Sequence, residues 1–193
     1  MNIIVKTYDG GRICCRPDTS WEREDKDLYV PDSIHGYMWT PVLFARISKA
    51  GKCVGLKYAP RYYDAVNYGM LMYPSDMLDG SPYGIAAASC ADHTSVLPFP
   101  MYNTVTLDGG TNVYSVLKDG IEIFRTQEGS RKIIEKALSK ASAIVSLRIG
   151  DILAIELAPM SLLAGFNDDV QPHETTISGS FCGNPLFSFR IIR

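Results

Sequence analysis

The sequence predicts a β-rich α+β fold, a rolled or sandwiched mixed β-sheet carrying one or two helices. Two observations predict it. Residues 130–141 alone show clear helical periodicity, while short apolar runs recur at the two-residue period of half-buried strands. Gly- and Pro-rich turns separate those runs. With 46% hydrophobic and 21% charged residues over 193 positions, the composition is that of a globular chain. Such a length suits a single domain, residues 1–193, that buries about 70% of its unfolded surface.

The elements follow in order. Asn2 to Lys6 and Arg12 to Cys15 flank the turn Asp9-Gly10-Gly11, so residues 1–20 form a short hairpin element leading into the domain. W-E-R-E-D-K-D, from Trp21 to Asp27, reads as a solvated charged loop. Val42 to Ser48 and Lys52 to Leu56 read as two strands joined by the tight turn Lys49-Ala50-Gly51. G-M-L-M-Y-P-S-D, from Gly69 to Asp76, reads as an apolar strand running into a turn, with its carboxylate at the far end. Asp108-Gly109-Gly110 is a second turn. Ser130 is placed to cap the helix, whose apolar stripe is Ile133, Ile134, Ala137, Leu138 and Ala141. Strands are expected at Ala143 to Leu147, at Asp151 to Leu157 and at Leu186 to Ile192.

Several function classes are disfavoured. A net charge of -2 without a basic run gives no electrostatic footprint for nucleic acid, so small molecules or proteins are the expected partners. Arg148, Asp151 and Glu156 interrupt the longest apolar region, residues 143–166, which removes a membrane span. The first residues lack the pattern of a signal peptide, and a cytoplasmic protein is the expectation. Cys14, Cys15, Cys53, Cys90 and Cys182 show no C-x-x-C spacing and read as reduced, mostly buried thiols. His35, His93 and His173 are far apart, so no H-x-H or H-E-x-x-H metal pattern exists. Gly179-S-F-C-G183 carries Phe181 where a nucleophile elbow has serine.

Four segments taken together say more: Cys15-R-P-D-T-S20, Val42-L-F-A-R-I-S-K-A-G-K52, Tyr58-A-P-R-Y-Y-D-A-V-N-Y-G69 and Leu147-R-I-G-D-I-L153. In that order they resemble the fumarylacetoacetate hydrolase family, from about residue 12 onward. The resemblance implies a rolled β fold, a homodimer, and a cleft where two Glu and one Asp hold Mg²⁺ or Mn²⁺. It also implies a nearby Lys, a water-activating His, and cleavage of a C–C bond beside a carbonyl. The ion's part in such chemistry is to stabilise the enolate charge.

Placed on this chain, the two Glu positions fall on Thr40 and Val42, the Asp position on Leu71 and the Lys position near Ala87. Asp76 matches only a structural Asp. The region before Arg16 has no His, and Ile155-Glu156-Leu157-Ala158-Pro159 replaces the family's T-G-T-P loop. A hard cation needs oxygen ligands at about 2.1 Å; Val42 and Leu71 offer none. The expectation is therefore a functionally diverged, catalytically silent relative without a metal, accepting a small carbonyl or apolar ligand. Its alternative is an active hydrolase or decarboxylase of a keto acid with a rebuilt site. For that site the available groups are Asp76, Asp92, His93 and Glu156. Asp92 and His93 would face opposite ways in a strand but could converge in a turn. Glu156, within an apolar strand, is either solvent-facing or a buried acid with a raised pKa. Arg61 to Asp64 read as Arg-Tyr packing with Asp64 as an anchor, and Tyr37 and Trp39 as core or dimer-contact aromatics. These two, with Met70 and Met72, are the side chains expected to fill a surviving cavity.

Overall fold

A computed structural model describes residues 1–109, 112–166 and 173–193. The chain starts with β1 (Asn2–Lys6), β2 (Ile13–Pro17), β3 (Trp21–Glu22), β4 (Leu28–Tyr29) and the long β5 (Gly36–Ile47) and β6 (Tyr63–Pro74). Helix α1 (Pro82–Ala88), β7 (Ser95–Val96), β8 (Tyr102–Asn103), β9 (Tyr114–Lys118) and β10 (Ile121–Thr126) follow. Helix α2 (Arg131–Ile144), β11 (Ile152–Glu156), β12 (Ser161–Gly165), β13 (Glu174–Phe181) and β14 (Asn184–Ile192) complete it.

The strands form two mixed sheets. The larger runs β2-β1-β11-β5-β6-β7-β3, with β12 on β5 and β8 on β6; the smaller runs β10-β9-β13-β14-β4. β5 and β6 are buried along nearly their whole length because both faces of the large sheet are covered. One face packs against the small sheet and α2, in a core that holds Leu43, Met70, Leu153, Leu138 and Ile177. The opposite face carries a smaller cluster with Val42, Phe44, Leu71, Tyr73 and Ala88. Gly69 marks close packing on that face: a Cβ there would run into the Val96 carbonyl oxygen.

The N-terminal hairpin, the strand at 151–157 and the closing strand are formed as expected. The hairpin is also built into the large sheet, where β1 lies between β2 and β11. Other expectations are corrected. Residues 52–56 are not a return strand, because β11 and β12 occupy one edge of β5 and β6 the other. Gly51, just before that segment, makes one bridge to Leu147, and the segment runs into a 3₁₀ turn at Leu56–Arg61. Residues 143–147 are not a strand either: α2 runs on to Ile144, and Ser142 within it accepts the Val54 N–H. Ser130 stands at the N-cap without a side-chain capping bond. Four of the five thiols are exposed and Cys14 is half-buried, so they are not a buried set. Trp21 and Glu22, read as part of a solvated loop, are buried at the edge of the large sheet. Gly110 lies outside the described residues, and Gly109 follows the 3₁₀ turn Thr104–Asp108. No helix is long and apolar enough to cross a membrane among the described residues.

Candidate functional site

Three adjacent strands bring the site together. Thr40 on β5 stands opposite Leu71 on β6; Val42 stands opposite Gly69 on β6 and Glu156 on β11. Directly paired residues share a face of a sheet, so Thr40, Val42, Leu71 and Glu156 project together, and alternation adds Tyr73. Thr40, Val42 and Leu71 are 0% exposed and Glu156 is 6% exposed.

Glu156 is the acid of this face. Its Oε2 accepts the Tyr8 backbone N–H at 2.7 Å and its Oε1 accepts the Tyr73 hydroxyl at 2.9 Å. Burial raises its pKa, against the opposing pull of those two donors. Burial also holds the Tyr73 phenol well above its usual range, so its proton stays in place to be donated. Over the face of that ring lies Arg16, its guanidinium carbon 4.7 Å from the ring centroid. Arg16 is buried and donates to the carbonyls of Met72 (2.7 Å), Ser89 (3.1 Å) and Thr94 (3.4 Å) and to Thr94 Oγ1 (2.8 Å). The result is a buried cation and a buried carboxyl with Tyr73 between them. Above Glu156 opens a pocket of about 330 Å³ whose walls include Tyr8, Cys14, Tyr73, Ile85 and Met160. Burial, then Glu156, pushes the Cys14 thiol up to about 11, which makes it a poor nucleophile near neutral pH.

No family model and no curated protein matches the chain in sequence. Solved structures match it over its length. A fumarylpyruvate hydrolase from Pseudomonas aeruginosa, in complex with Mn²⁺ and pyruvate, superposes with a TM-score of 0.78 at 17% identity, covering 100% of this chain and 89% of that one. A protein from Yersinia pestis CO92 assigned to the fumarylacetoacetate hydrolase family gives 0.78 at 13% identity, over 99% and 92%. A 2-hydroxyhepta-2,4-diene-1,7-dioate isomerase from Mycobacterium marinum gives 0.76 at 15%, over 100% and 74%. The fold is that of the fumarylacetoacetate hydrolases.

Within the fumarylacetoacetate hydrolase fold, the residues at the positions assigned to the cation ligands do not suit a divalent ion. Val42 and Leu71 have no side-chain oxygen, and the Thr40 hydroxyl donates to the Ala158 carbonyl at 2.7 Å. Both Glu156 oxygens already accept bonds. Among the described residues no three His, Cys, Asp or Glu are grouped to hold a metal. Ala87, at the position assigned to lysine, is half-buried in α1.

The other sequence candidates are dispersed. Asp76 accepts the His35 backbone N–H and pairs with His35 Nδ1, each at 2.8 Å, and these contacts hold its carboxyl below its usual range. Asp92 and His93 occupy a turn and both line one pocket, but not the one above Glu156. Glu156 does not face solvent; it is the buried acid of the two readings. Asp64 anchors Arg46 through two bonds across the β5–β6 pair. Tyr37, Trp39, Met70 and Met72 belong to the opposite face of the large sheet, whereas Leu71 and Tyr73 lie on the Glu156 face with Arg16 over the Tyr73 ring.

Sequence reasoning missed Arg16, Tyr73 and Glu22. Tyr73 was recoverable, since it stands two residues from Leu71 on an alternating strand. Arg16 lies in a segment that carries the family resemblance, but its burial depends on carbonyls from the remote residues 72, 89 and 94. Glu22 was hidden by the charges that follow it.

Proposed function

We propose that this chain is a functionally diverged protein with the fumarylacetoacetate hydrolase fold. In this reading it has given up cation-dependent C–C bond cleavage and keeps the cleft as a pocket for a small carbonyl or apolar ligand. The observation that carries this reading is the convergence of Thr40, Val42 and Leu71 on one dry face, beside a single carboxyl that is already hydrogen-bonded. Clustered carboxylates repel when no cation joins them, so apolar replacements fit a protein that works without one. The test is calorimetric titration with Mn²⁺ and Mg²⁺, alongside an acylpyruvate turnover assay. No saturable site and no turnover are expected; a stoichiometric Mn²⁺ site with cation-dependent turnover overturns the reading.

One observation favours the alternative, an active keto-acid hydrolase or decarboxylase with a rebuilt site: Glu156 is a buried acid beside a pocket. In that case acylpyruvate or keto-acid turnover persists in EDTA and is abolished in Glu156→Gln. The same reading takes the protein as a cytoplasmic homodimer that binds neither nucleic acid nor membrane. Five free thiols suit a reducing compartment. Edge strand β10 exposes Ile121 and Ile123, which a second copy can cover. Sedimentation velocity checks the dimer: a single monomer species at all concentrations removes it.

A further inference from the structure

A second pocket, of about 430 Å³, opens away from the Glu156 face. β3 pairs with β7 and β7 with β6, so Glu22 shares a face with Val96 and Met70, opposite Trp21 and Leu71. The pocket's apolar wall is Leu28, Ile34 and Tyr37, and Lys26, Asp92 and His93 also line it. There a carboxylate and an imidazole are joined, with His93 Nδ1 2.9 Å from Glu22 Oε2.

The two partners differ in exposure: the Glu22 side chain is 8% exposed, that of His93 59%. The other Glu22 oxygen accepts the N–H groups of Arg23 (3.0 Å) and Glu24 (2.9 Å). With Nδ1 held by the Glu22 carboxylate, a ring that carries its proton on Nδ1 has Nε2 as its acceptor. His93 also has φ +57, a left-handed backbone that non-glycine residues rarely adopt and that concentrates at functional sites. An exposed ring returns little packing for that strain. The His35–Asp76 pair has similar geometry, but its carboxylate is more exposed and neither residue lines this pocket.

We propose that this pocket hydrolyses small neutral carboxylic esters, with His93 as general base and Glu22 as the residue that positions it. Nε2 takes a proton from water while the water oxygen bonds to the ester carbonyl carbon. The C–O bond to the alcohol then breaks, and the imidazolium returns its proton to the departing alkoxide. A carboxylic acid and an alcohol are released and the imidazole is neutral again. Leu28, Ile34 and Tyr37 receive an apolar acyl chain; Lys26, which also lines the pocket, is ion-paired with Glu24 at 3.0 Å. Asp27, which is bonded to Arg190, and Asp92 also line the pocket, so its lining has no surplus of positive charge to draw anionic substrates.

The test uses the full chain with p-nitrophenyl butyrate as probe. Saturable hydrolysis is expected, unchanged by EDTA and by the control His35→Gln. His93→Gln should lower kcat/KM by about 100-fold or more, the scale of a lost general base. Glu22→Gln should lower kcat about 10-fold with little change in KM. Non-saturable hydrolysis, or a folded His93→Gln protein as fast as wild type, overturns the proposal. Because this pocket lies on the other face, neither outcome depends on whether the Glu156 face binds a cation.

Discussion

Arg16 and His93 stand on opposite faces of the large sheet and meet opposite surroundings. Arg16 is enclosed, its charge spread over three carbonyls, a hydroxyl and the Tyr73 ring. His93 is open to water and tethered at one nitrogen by a buried carboxylate. A charge bonded through all three of its nitrogens fastens the fold, whereas a ring held at Nδ1 and lining a pocket is arranged for proton transfer. The two faces thus carry different chemistry, one a closed network of bonds and the other an open pocket.

That contrast can be broken most severely by placing acids on the dry face. The double variant Val42→Glu with Leu71→Asp adds two buried carboxylates beside Glu156, at a cost of about 5 kcal/mol or more. It should be unfolded or nearly so by circular dichroism, and Mn²⁺ should raise its melting temperature. A variant as stable as wild type without a cation would show that this face tolerates charge. Next in size, Arg16→Ala strands the Met72, Ser89 and Thr94 carbonyls and leaves Glu156 without its nearby cation. Guanidinium unfolding should report a loss of about 3–5 kcal/mol.

A smaller effect is read from pH. Burial raises the folded-state pKa of Glu156 above the ordinary 4.5 of a free glutamate, so the folded chain holds that proton more tightly than the unfolded chain. The stability this adds is complete below about pH 4.5 and is lost as pH rises through the higher folded value. Glu156→Gln should flatten that part of a urea-derived stability profile, and an unaltered slope would assign it to other groups. The smallest change belongs to the open face. His93→Gly relieves the left-handed backbone and gives up little packing, so its stability should equal or exceed wild type by up to about 1 kcal/mol. A clear loss would mean that the ring serves the fold.

Local patterns were legible where one strand or helix determines its own periodicity. The 2–6/12–15 hairpin, the α2 stripe and the strand at 151–157 follow from alternation and turn residues alone. Pairing was less legible. Residues 52–56 look like a strand in isolation, yet both edges of β5 are taken by partners from the remote residues 63–74 and 152–165. The placement of Thr40, Val42 and Leu71 on one face could be read from register, whereas the Glu156–Tyr73–Arg16 arrangement needed contacts between segments about as far apart as the chain allows. Glu22 illustrates the reverse error: acidic neighbours suggested solvent, while the adjacent Trp21 was the sign of a buried edge.

Strand β1 also bears on how the protein is made. Asn2 donates its backbone N–H to Asp151, 149 positions later, and Ile3 to Lys6 lie parallel to Ile152 to Ile155. On a ribosome this segment must wait for about 150 further residues before its inner neighbour exists. So distant a pairing slows folding and leaves an unsatisfied edge during synthesis. Refolding should accordingly be limited by docking of this hairpin, and a nascent chain halted before β11 is the species that chaperones would be expected to hold.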